Sequence, residues 1–279
     1  MKIIRYILGI LVLISFGLVV LSFFRKNSLP DERLINQSLY QAPVQKEIDL
    51  SSKTFEIEKE GFLYKITPLY EYEIYGLSVA DYDSENWIDY FHKKDPLNTK
   101  DICLIWGENV KSGSYKDISF KHGEFTCYWK TDSEETIFDS SEISNNHLLP
   151  ATEEIYKEIK KAEKGDQIYI KGYLANYEVV GLDTHFFRSS SITREDVGDC
   201  ACEVVYVTDF KVLVKGNIGY SLLYRLSKYS FFGLLAIYLV VLYISFISRP
   251  PIRRREVIKE VDVESVRGRS FPSHFKDNF

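Results

Sequence analysis

Gly165-Asp166-Gln167-Ile168-Tyr169-Ile170-Lys171-Gly172-Tyr173-Leu174 opens on a glycine and an aspartate and then runs through alternating side chains toward Tyr177, the two-residue period of a half-buried strand. Just upstream, Ala151 to Glu163 reads as a helix. Thr152-Glu153-Glu154 starts it with acids, Ile155, Ile159 and Ala162 form one face, and Gly165 stops it. Further upstream the period of two returns at Phe55, Ile57, Phe62, Tyr64, Ile66, Tyr70, Tyr72 and Ile74, and Ile102 to Trp106 and Glu124 to Trp129 read the same way. Downstream, Glu203 to Val214 supplies one more strand. The order is three strands, a helix, then two strands, and the segment Asn27 to Ser52 before them is polar and reads as a tether with one helical turn around Arg33 to Leu39.

That order, with the helix between the third and fourth strands, resembles the OB-fold, a five-stranded Greek-key barrel. The resemblance implies a mainly β, OB-like domain over residues 53–220. Connections of roughly 20 residues between the first three strands are longer than a minimal barrel needs, so another barrel or a sandwich is the competing architecture. The phrases Leu63-Tyr64-Lys65-Ile66-Thr67-Pro68-Leu69-Tyr70-Glu71-Tyr72-Glu73, Cys103-Leu104-Ile105-Trp106-Gly107-Glu108-Asn109, Ser144-Asn145-Asn146-His147-Leu148-Leu149 and Ala201-Cys202-Glu203-Val204-Val205-Tyr206-Val207 resemble an uncharacterised group of membrane-anchored bacterial proteins. This likeness implies the architecture and no activity.

The domain is flanked by two apolar runs. Residues 6–24 contain 14 Ile, Leu, Val or Phe in 19 positions without a charge, and residues 229–247 contain 12 in 19, each near the ~20 residues that cross a bilayer core. A cleaved signal peptide is the alternative for the first, but Ser22-Phe23-Phe24-Arg25-Lys26 offers no small-x-small cleavage site. Arg249, Arg253, Arg254, Arg255 and Lys259 follow the second run, against Lys215, Arg225 and Lys228 before it. The excess of basic residues predicts a cytoplasmic C-terminus. Two spans then place the N-terminal residues 1–5 on the same side, with 25–52 as the tether and the domain outside the cytoplasm, as in a periplasm facing a bacterial inner membrane. The basic tail, 248–279, lies against lipid and carries too little apolar content for a core.

Residues 27–248 hold 23 basic and 35 acidic residues, a net of −12. That charge disfavours a phosphate backbone, so nucleic acid is excluded as a partner class. Cys103, Cys127, Cys200 and Cys202 are candidates for disulfides in an oxidising compartment, and Cys103 and Cys127 sit on successive expected strands. Cys200-Ala201-Cys202 lacks the C-x-x-C spacing of a redox site. His92, His122, His147 and His185 are scattered without zinc-ligand spacing, and Asp81 to Asp89 departs from a Ca²⁺ loop at Asn86 and His92. The sequence therefore names no metal and no cofactor. The 20 Tyr and 18 Phe read as strand formers and core.

The densest polar stretch, His185 to Asp196, lies between the last two strands. His185, Arg188, Ser189, Ser190 and Arg194 are its candidate binding groups, suited to an anionic headgroup, a glycan or a carboxylate. No G-x-S-x-G elbow accompanies the serines. The expectation is a two-pass membrane protein presenting an acidic β domain for binding or scaffolding in the cell envelope, with the bilayer and an envelope protein or glycan as partners. The alternative is an envelope hydrolase whose site is assembled from dispersed His and Asp or Glu residues.

Overall fold

The computed structural model describes residues 2–49, 54–85, 92–123, 125–133, 135–181, 185–193 and 202–248. The chain begins with α1 (Lys2–Lys26), makes two 3-10 turns, and enters β1 (Val44–Glu47), β2 (Phe55–Lys59) and the 22-residue β3 (Phe62–Asp83). Next come β4 (Lys100–Ile105), a short α2 (Gly107–Lys111), β5 (Ile118–His122), β6 (Cys127–Thr131) and β7 (Ile143–Pro150). After α3 (Glu153–Lys161), β8 (Gln167–Val180), β9 (His185–Arg188) and β10 (Cys202–Val214) complete the sheets, and α4 (Ile218–Ile247) ends the described chain.

Five strands close on themselves through hydrogen bonds. Around the ring β3 pairs β4, β4 pairs β7, β7 pairs β10, β10 pairs β8 and β8 returns to β3. All of these pairs are antiparallel except β7 with β10, which have α3 between them in sequence. β3 reaches both of its ring neighbours because it is long and shifts register between Pro68 and Tyr70 and again between Ser78 and Ala80. Before it, β2 and β3 form a hairpin through Glu60 and Gly61, both at positive φ, as a two-residue turn matched to strand twist requires.

Alternation along the strands divides the side chains between two faces. Tyr72, Ile74, Ile102, Leu104, Leu148, Ile168, Ile170, Val205 and Val207 fill the inside of the ring, and α3 closes over them with Ile159. The other face carries two further cores. One collects Ile35, Leu39, Val79, Cys103, Ile105 and Tyr115, and the other Tyr64, Leu97, Leu149, Tyr177, Val179 and Val204.

Three sequence expectations change. The expected third strand, Glu124 to Trp129, becomes β6, which pairs with β5 in a separate two-stranded sheet. The ring takes β7 in its place. The segment expected to be a tether is packed: Ile35 and Leu39 are buried, Asn36 N donates to Gln167 Oε1 at 2.7 Å, and Tyr115 Oη donates to Pro30 O at 2.7 Å. The second apolar helix starts at Ile218, well before the uncharged run.

α1 and α4 are long and apolar enough to cross a membrane. They pack side by side through Phe16 and Phe231, 5.6 Å between ring centroids, and Phe23 and Tyr224, 5.9 Å. Away from that seam large apolar side chains such as Leu13, Tyr243 and Phe246 remain mostly exposed. Both helices are fastened to the same end of the ring. Asn217 Nδ2 donates to Ser28 O, and buried Asp166 accepts from Gly216 N at 2.9 Å and Lys215 Nζ at 2.7 Å.

Candidate functional site: a buried polar cluster on the outer wall of the ring

The register of β4, β7 and β10 assembles a cluster that no contiguous motif announces. Asp101 on β4 lies opposite His147 on β7, and both point away from the ring interior, because their neighbours Ile102 and Leu148 point into it. Asn145, two residues before His147 and on the same face, lies between Cys103 of β4 and Cys202 of β10. Cys103 is disulfide-bonded to Cys127 of β6. The bridge draws the β5–β6 hairpin over Asn145, whose Nδ2 donates to Phe125 O at 3.1 Å and to Cys202 Sγ at 3.5 Å. Cys202 is a free thiol, with Phe125 O 3.6 Å away.

His147 Nδ1 stands 2.8 Å from Asp101 Oδ1, and the two side chains are 3% and 0% exposed. The contact is an ion pair off the line of a hydrogen bond, and Oδ2 of Asp101 has no hydrogen-bond partner among the described residues. Burial opposes the imidazolium, but the adjacent Asp101 charge and the interaction with Cys202 together raise the His147 pKa to about 9. Burial likewise pushes Asp101 upward, and the His147 charge outweighs it, leaving the carboxyl below its ordinary range. For Cys202, burial is overcome by His147, Asn145 and Thr126, so the thiol lies below its usual value.

The cluster continues through β8 and β9. Arg188, opposite Tyr177 in the register, interacts with Tyr177, Asp101 and Asp95 and is held in its charged form by them against burial. Asp95 accepts from Tyr177 Oη at 2.6 Å and Tyr64 Oη at 3.1 Å. Its pKa is nonetheless raised, because burial exceeds what these donors and Arg188 return. A buried charge needs compensation nearby. Here two carboxyl groups face one guanidinium and one imidazole.

Arg188 and Ser190 of the expected binding groups turn inward. Ser190 N donates to Asn176 Oδ1 at 3.0 Å, its Oγ accepts from Val204 N at 3.0 Å, and Ser191 N donates to Cys202 O at 2.9 Å, so this loop is stitched to the start of β10. Ser189 is exposed, and His185 pairs at the surface with Glu178 at 2.6 Å. Arg194, Cys200 and the tail beyond Ser248 lie outside the described residues, as do 86–91 of the acidic turn. Among the described residues, no group of three or more His, Cys, Asp or Glu is placed to hold a metal. Asp95, Asp101, Tyr64 and Tyr177 are absent from the sequence-based candidates; the one available signal is an acid abutting the apolar run Ile102 to Trp106.

Over the cluster, the hairpin and the segment that follows it present a different surface. Phe125, Tyr128 and Trp129 of the hairpin and Ile137 beyond it are 45%, 59%, 39% and 86% exposed, with the Trp129 ring tilted against that of Phe138 at 4.6 Å. No family model, curated protein or solved structure matches the chain.

Proposed function

We propose that this protein is a two-pass membrane protein whose OB-like barrel is a binding or scaffolding module in the cell envelope. The observation that carries the reading is the set of exposed aromatic side chains on the disulfide-pinned β5–β6 hairpin, on a ring whose interior is filled with side chains. A filled ring leaves its outer surfaces for recognition, and exposed aromatic clusters mark contact surfaces. The OB-like assignment is supported by the pairing order, in which the long first strand meets the second and fourth, and the third runs parallel to the fifth. Placement of the domain outside the cytoplasm is supported by the Cys103–Cys127 bridge, of a kind that persists in oxidising compartments, and by the arginines after the second span. Since Arg188 is drawn into the cluster, the hairpin takes the role first assigned to the Arg188 loop, and an envelope protein or glycan is the partner class.

The test is photo-crosslinking in intact cells from a benzoylphenylalanine placed at Tyr128 or Ile137, with Lys211 as the control position. Adducts of one defined mass from the first two positions, lost when Trp129→Ser is added, are expected. Equal labelling from Lys211, or no adduct, overturns the hairpin as the contact face.

One observation favours the hydrolase reading: His147 stands between Asp101 and the Cys202 thiol, the order of groups that activates a nucleophile. Under that reading Cys202 in the folded protein is alkylated by iodoacetamide at neutral pH, and His147→Ala slows the reaction. Cys202 that reacts only after denaturation excludes it.

A further inference from the structure

We infer that the cleft at the foot of the ring, where α1 leaves it, binds the phosphate of an anionic membrane-lipid headgroup. The inference rests on the reading of α1 and α4 as membrane spans.

The cleft has a volume of about 410 Å³, and five lysines line it, Lys26, Lys100, Lys121, Lys160 and Lys164, against three acids, Asp81, Asp83 and Glu163. In a segment of net charge −12 this local excess runs against the background. Two of the lysines are committed to protein partners. Lys100 pairs with Asp81 at 2.8 Å and donates to Ala162 O, and Lys160 pairs with Asp83 and with Glu85, the latter at 3.1 Å.

The other three are available. The side chains of Lys121 and Lys164 make no ion pair or hydrogen bond among the described residues, and that of Lys26 only overlies the Tyr224 ring at 5.0 Å. Lys164 is partly buried, and burial lowers its pKa. An anion in the cleft removes that penalty. A phosphate offers oxygens enough for three ammonium groups at once.

Position selects the source of the phosphate. Lys26 is the last residue of α1, two positions after the apolar run, and Asn27 beside it lines the same cleft. Arg25 precedes Lys26 in sequence, and Lys228 of α4 overlies the same Tyr224 ring at 6.0 Å. Residues at that point of a span sit at headgroup depth, so the cleft opens where lipid phosphates are concentrated, and a soluble phosphate must come from bulk water.

The full chain in a maltoside detergent, followed by thermal unfolding, tests this with three probes: dihexanoyl phosphatidate, dihexanoyl phosphatidylcholine and inorganic phosphate. Phosphatidate is expected to raise the midpoint saturably, and Lys121→Ala and Lys164→Ala are each expected to weaken its apparent affinity about fivefold, following the energy of one basic residue near a membrane phosphate. Lys211→Ala, on the far strand, leaves it unchanged. Inorganic phosphate that binds as tightly, with the same lysine dependence, overturns the lipid assignment in favour of a soluble anion. No saturable shift, or one insensitive to both lysines, overturns the site. Alkaline extraction of membranes holding the same chain judges the spans separately: release of the chain defeats the membrane reading whatever the titration gives.

Discussion

Asp101→Ala is expected to destabilise the full chain in detergent by about 3–5 kcal/mol, the cost of stranding one member of a buried ion pair, read as the loss of its urea unfolding midpoint by tryptophan fluorescence. The substitution leaves His147 almost fully buried and Arg188 with one carboxyl partner fewer. The pH dependence separates the ionic pair from mere packing. The folded-state pKa of His147 is raised from 6.5 to about 9, so its contribution to stability is fully present below about 6.5 and is lost as the pH rises toward about 9. Asp101 has the opposite sign: its lowered pKa contributes stability above the ordinary carboxylate range and loses it as the solution is acidified through the folded value. The parent protein is therefore expected to weaken between about pH 6.5 and 9, while the Asp101→Ala protein, whose His147 retains burial without the counter-charge, is flat there. A variant that keeps the alkaline weakening of the parent removes Asp101 as the source of the imidazolium.

That cluster was the least legible part of the sequence, for a physical reason. Strand β7 is buried from Ser144 to Pro150, yet Ser144-Asn145-Asn146-His147 are residues with little strand preference. Part of their polarity is met by partners that composition cannot display: Asn146 Nδ2 donates to Ile102 O at 3.2 Å and to Ser144 Oγ at 2.9 Å. The neighbouring Glu124 to Trp129 has the aromatic content of a strand, but Phe125, Tyr128 and Trp129 remain partly or largely exposed, and periodicity alone does not tell a ring strand from a hairpin laid over it. β3, β8, α3 and the two apolar helices were legible because each couples its sequence period to one buried face or to a single continuous environment. Arg188 reads from the sequence as a binding group for an anion; which way its side chain turns depends on Asp95 and Asp101, more than 80 residues away in sequence.

Gly172→Ala is the second substitution of large expected effect, and it tests the closure of the ring. Gly172 belongs to β8 and pairs on one side with Tyr72 of β3 and on the other with Val207 of β10. A Cβ at this position stands 2.0 Å from Tyr206 O and 3.0 Å from Val207 Cα. Both are backbone atoms, so no rotamer change relieves the overlap. The register of β8 against β10 shifts between Val207 and Asp209, which places the tight approach beside an irregularity where the strands are already bent together. Relief requires β10 to move outward, and that motion pulls Val205 and Val207 out of the filled interior and disturbs the parallel pairing with β7. The expected loss is about 3 kcal/mol, the upper part of the ordinary cost of overpacking, measured by denaturant unfolding. Gly61→Ala is the comparison: its site is open space at φ +81°, so only the backbone penalty of about 1–2 kcal/mol applies. If Gly172→Ala unfolds no earlier than Gly61→Ala, β8 and β10 do not approach as closely as the closed ring demands. If it unfolds well before, the absence of a side chain at residue 172 is what allows the last two strands to complete the circle.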